Sequence, residues 1–98
     1  MSGLNWKMIK SNLIEARQEL EKIESRIESG DLSHEGDLQV MVEHVFHHLN
    51  FAWNARRISM KRYSELTDED FNLFGKFPED IEEFRVSLKA DPSHKFKE

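Results

Sequence analysis

Seven residues near the start of the chain, Trp6, Ile9, Leu13, Ala16, Leu20, Ile23 and Ile27, are spaced alternately three and four apart. That period of 3.5 is an a/d heptad stripe, which only an α-helix packed along one seam can use. The positions between Glu15 and Glu28 are otherwise mostly polar. Glu15 with Glu19 and Glu24 with Glu28 form like-charge i,i+4 pairs. Such a helix buries a narrow strip and keeps the rest in water. The spacing predicts a helix over about 4–29, ended by Gly30 as a C′ cap, with Ser33 as N-cap of the next.

The second segment predicts a helix over about 34–63. On a helical wheel, Leu38, Met41, Val42, Val45, Leu49, Ala52, Trp53 and Met60 share one direction and form the seam for the first helix. Val40, Phe51, Ala55 and Ile58 lie on a second apolar side, with His44 and His47 among them. A helix apolar on two sides is covered on two sides, so the second helix is central. Two things can cover the second face. One is the C-terminal third, where Thr67 and Asp70 suggest a capped helix over about 68–75 and Pro78 opens another over about 78–90. The other is a second copy of the chain. Phe71, Phe74, Phe77 and Phe84 fall within fourteen residues, at ~1.5–3 kcal/mol each when fully buried, and are expected to leave water. Residues 93–98 read as a tail.

The fold class expected is therefore all-α. A long antiparallel helical hairpin with short C-terminal helices forms one domain over 1–92, pairing as a homodimer into a four-helix-type bundle. With no Cys, thiolate metal sites and disulfides are excluded. No signal-peptide pattern and no apolar run of ~20 residues is visible, so the sequence reads as cytoplasmic and not membrane-bound.

The chain carries a net charge of −5. An acidic whole argues against general nucleic-acid binding, which needs a basic footprint. Arg56, Arg57, Lys61 and Arg62 are a local exception, and a nucleic-acid accessory role would use them. The cations also suit the C-terminal end of a helix. The wheel turns Arg56 toward the seam, where it should either snorkel past Trp53 and Met60 or meet a carboxylate of the acidic third segment.

Three of the five histidines lie in Glu43–Arg57. His44 and His48 are i,i+4, the spacing that puts two imidazoles on one helical face and serves zinc and di-iron sites. Two ligands are not a site, and the usual carboxylates are not evident on the facing seam. The plainer reading makes them half-buried rings at a helix contact. Glu43 and His47 could pair as acid and base, but no nucleophile or oxyanion donor is spaced to join them. Glu15 and Glu19 could serve as metal carboxylates of an all-α nucleotide pyrophosphohydrolase. That class needs a second acidic pair, and Glu43 is the only Glu between Asp37 and Glu65. Asn50 and Asn54 are expected to hold a loop returning over the helix.

No catalytic constellation closes. The sequence points first to a small non-enzymatic helical interaction or regulatory protein acting on itself or on another protein, with His44, His47, His48, Phe51, Ala55 and Ile58 as its contact surface. No cofactor is expected. The alternative is a metal-binding protein or enzyme holding a divalent ion at His44 and His48.

Overall fold

The computed structural model describes residues 3–81. Four α-helices occupy that span: α1 Trp6–Glu28, α2 Glu35–Asn54, α3 Met60–Tyr63 and α4 Asp68–Phe74. No strand is present among the described residues. Helices α1 and α2 form the expected antiparallel hairpin, and α4 folds back on α2. The expected helix over 78–90 lies largely outside the described residues.

Each boundary has a local cause. Asn5 caps α1 by accepting from the Met8 amide at 3.0 Å. At the other end the Gly30 amide bonds Ile27 O and the Asp31 amide bonds Arg26 O, a Schellman closure that needs the positive φ of 75° at Gly30. The cap of α2 is His34, one residue later than expected, and it makes no side-chain cap bond. Glu35 and Asp37 in the first turn favour that end through the helix dipole.

The long second helix is shorter than its sequence suggests. It stops at Asn54, and the chain turns through 55–59 before α3. Neither Pro nor Gly breaks it. Instead Asn5 reaches across: its amide N–H bonds Arg56 O at 2.6 Å and its side-chain Nδ2 bonds Ile58 O at 2.9 Å. Ser59 then caps α3 by accepting from the Arg62 amide. The freed carbonyls are satisfied from outside the helix, which is what permits the break.

The core comes in two parts. Ala16, Ile23, Met41 and Val45 pack together, with Leu32 and Val42 against them. Met8, Phe51 and Ala55 form the second part, closed by Ile9, Ile58, Tyr63, Leu66 and Phe74. Phe51 and Ala55 are thus buried within one chain, and the C-terminal segment covers the second face of α2. Val40, expected on that face, stays exposed, as do Phe71 and Phe77 to about half their surface.

The first helix is rotated from its expected seam. Met8, Asn12, Ala16, Glu19 and Ile23 are buried, whereas Trp6, Leu13, Leu20 and Ile27 are 61%, 46%, 49% and 58% exposed. Only one of the two heptad positions faces α2. The other looks sideways, on the same flank as Leu49 and Trp53 at one end of the hairpin and Leu38 at the other.

Candidate functional site

The opposite flank of the hairpin is polar. Antiparallel pairing about the 29–34 connection sets α1 position i against α2 position 63 − i, as the ends Glu28 and Glu35 show. Glu15 therefore meets His48, and Glu19 meets His44. The separations are 3.4 Å from His48 Nε2 to Glu15 Oε2 and 3.2 Å from His44 Nδ1 to Glu19 Oε1. The two histidines, one turn apart, bring their Nε2 atoms to 3.1 Å.

Asn12 completes the cluster. Its Nδ2 donates to Met8 O at 3.1 Å and to the Tyr63 hydroxyl at 3.2 Å. Since a carbonyl can only accept, the amide orientation is set, and Oδ1 faces His48 Nδ1 at 2.9 Å. His48 therefore carries its proton on Nδ1. Glu19, among the most buried residues of α1, likewise only accepts while ionised, so His44 carries a proton on its own Nδ1. Burial holds His48 below its ordinary pKa, Glu15 and Glu19 pull it upward, and His44 pushes it down.

His47 belongs elsewhere. It stacks on Phe71 with ring centroids 6.1 Å apart and lies 4.6 Å from Phe51. Burial, then His48 and His44, lowers its pKa. No ion pair joins it to Glu43 among the described residues. Gly75 lets α4 approach: a Cβ there would sit 3.0 Å from His47 Nδ1 and 2.8 Å from Phe71 O.

The expected asparagine clamp is present. Asn50 Nδ2 donates to Gly75 O at 2.7 Å, and Asn54 Nδ2 donates to Phe74 O at 2.8 Å and Lys76 O at 2.6 Å. Of the four basic residues, Arg56 lies 3.9 Å over the Trp53 ring and reaches Asp80 at 3.4 Å. Asp80 is held below its usual range first by the Trp53 indole N–H, then by its own backbone N–H and by Arg56. Arg62 pairs with Asp70 at 2.7 Å. Two of the four cations thus have intramolecular carboxylates, which weakens the nucleic-acid reading.

Of the predicted site residues, the fold brings His44 and His48 together and adds Glu15, Glu19 and Asn12. Phe51 and Ala55 are withdrawn into the core, so neither offers surface to a partner. Sequence reasoning weighed the two carboxylates and the two histidines apart. The signal that joins them is the hairpin's own count, since both pairs sum to 63. Among the described residues no group of three or more His, Asp or Glu side chains is placed, as it stands, to hold a metal ion, and no helix is long and apolar enough to cross a membrane. No family model matches this sequence, and no curated protein or solved structure matches it significantly.

Proposed function

We propose that this chain is a small helical interaction protein that works as a homodimer, joined through the apolar flank of its hairpin. The observation that carries this reading is the row Leu13, Leu20 and Ile27, one residue every seven, with Leu38, Phe46 and Leu49 of α2 also 39–49% exposed. The α1 row runs ~20 Å at 1.5 Å per residue. Monomers rarely leave an apolar strip of that extent in water.

A second copy suits the strip better than an unrelated partner. A strict seven-residue repeat packs best on a helix with the same repeat. The outer edge of the row carries Lys10 and Arg17 toward one end and Glu24 toward the other. An antiparallel copy sets the basic end of one row against the acidic end of its partner, while a parallel copy would stack like charges. Two hairpins joined this way complete a four-helix bundle.

Sedimentation equilibrium of the full chain tests the reading. A dimer is expected in the micromolar range, with Leu20→Lys and Leu13→Lys giving folded monomers. A full chain that stays monomeric at ~100 µM overturns it. So does a chain that dimerises only when cut after Ile81, because its own C-terminal segment would then be the occupant of the strip.

A further inference from the structure

We infer that Glu15, His44 and His48 form a binding site for one divalent ion of the zinc class, with Glu19 and Asn12 holding the two imidazoles in place. The argument begins with protons. Asn12 Oδ1 and Glu19 Oε1 each require an N–H from the histidine nitrogen they face, at 2.9 Å and 3.2 Å. In their neutral forms both rings then carry hydrogen on Nδ1 and a lone pair on Nε2. Those two Nε2 atoms stand 3.1 Å apart, and a Glu15 oxygen stands 3.4 Å from His48 Nε2. Acceptors gathered in this way favour a cation beside them, a proton or a metal ion.

The separations suit a metal. Zinc bonds to nitrogen and oxygen of ~2.0–2.1 Å give tetrahedral ligand–ligand edges of ~3.3–3.4 Å. The observed 3.1 Å and 3.4 Å bracket that edge. A histidine ligand commonly passes its other N–H to a carboxylate or carbonyl, which raises its basicity and fixes its ring. Both histidines here do so, His44 to Glu19 and His48 to Asn12. Asn12 is in turn anchored by Met8 O and Tyr63. The side chains do not yet converge on one point. Glu15, 58% exposed, can close on the two rings by rotation about its own side-chain bonds, and solvent would fill the fourth position.

The site lies on the flank of the hairpin opposite the apolar row, so it stands or falls independently of the dimer. Calorimetric titration of the full chain with zinc chloride, in a non-chelating buffer at neutral pH, tests it. One ion per chain is expected to bind with micromolar or tighter affinity. Glu15→Gln should weaken binding at least tenfold, and His44→Gln or His48→Gln should abolish it. Asn12→Ser, away from the metal, should weaken it by ~10–100-fold. His34→Gln, outside the cluster, should leave it unchanged, and circular dichroism confirms that each variant folds. Nitrogen-15 spectra should show both Nε2 signals shifting together on zinc addition. Three results overturn the proposal: no saturable binding at tenfold excess zinc, full binding by the His44→Gln/His48→Gln double variant, or one ion per two chains. A proton shared between the Nε2 atoms in place of zinc would show as the first of these.

Discussion

An amide buried away from water destabilises a fold unless its N–H and C=O groups are matched, and Asn12 is matched at both ends. It bonds Met8 O within α1 and links that helix to Tyr63 in α3 and to His48 in α2. Asn12→Ala removes the acceptor for His48 Nδ1 and the donor to Tyr63. The expected loss is about 1–3 kcal/mol in urea unfolding, comparable to deleting a core side chain. The neighbouring pair Glu19 and Leu20 runs against intuition in the same way. Glu19 is 7% exposed and Leu20 is 49%. At concentrations where the chain is monomeric, Glu19→Ala should therefore destabilise it more than Leu20→Ala. Unfolding curves in which Leu20→Ala is the costlier change would mean that α1 packs by its heptad stripe after all. The stripe was legible because a period of 3.5 is a property of sequence alone. The facing direction was not, because it depends on where Asn12 and Glu19 find partners 25 to 51 residues away.

At the scale of elements, α4 is held by groups whose chemistry is local. Thr67 accepts from the Asp70 amide at 3.2 Å and Asp70 accepts from the Thr67 amide at 2.9 Å, a reciprocal cap readable from the spacing Thr-x-x-Asp. The same locality made the asparagine clamp legible, since Asn50 and Asn54 share one face of α2. The break at 55–59 was not legible, because its cause, Asn5, lies at the far end of the chain. Thr67→Ala should lower stability by about 1 kcal/mol. The pH dependence follows from Asp70, held well below the usual carboxylate range by Arg62 first and then by the Thr67 amide. A carboxyl depressed on folding adds stability that is present above its unfolded value of 3.8 and is lost as pH falls below it. The stability difference between the native chain and Asp70→Asn should therefore be full at neutral pH and shrink below pH 3.8. A difference that is constant down to pH 2 would mean the carboxylate is not ionised in the folded cap, or that the cap is already open.

At the scale of the whole molecule, the hairpin has two unlike flanks because two helices cannot cover four sides. One flank is polar and sets Glu15 and Glu19 against His48 and His44. The other is dominated by half-exposed apolar side chains, Leu13, Leu20 and Ile27 of α1 with Leu38 and Leu49 of α2. Burial of a half-exposed Leu, Ile or Phe removes apolar area from water at roughly 25 cal/mol per Å². Across the six residues Leu13, Leu20, Ile27, Leu38, Phe46 and Leu49 the gain can exceed the entropy lost on association. The consequence is thermodynamic linkage: whatever covers the strip in the folded state stabilises that state by mass action. If the occupant is a second copy, the melting temperature must rise with protein concentration, and Leu20→Lys must remove that slope. At low concentration the same variant should melt within a few degrees of the native chain, since Leu20 is half exposed before association. If the occupant is instead the segment beyond Ile81, the melting temperature is independent of concentration and Leu20→Lys lowers it at every dilution. The two slopes separate an interface between copies from one made within a single chain, with no assumption about the partner's identity.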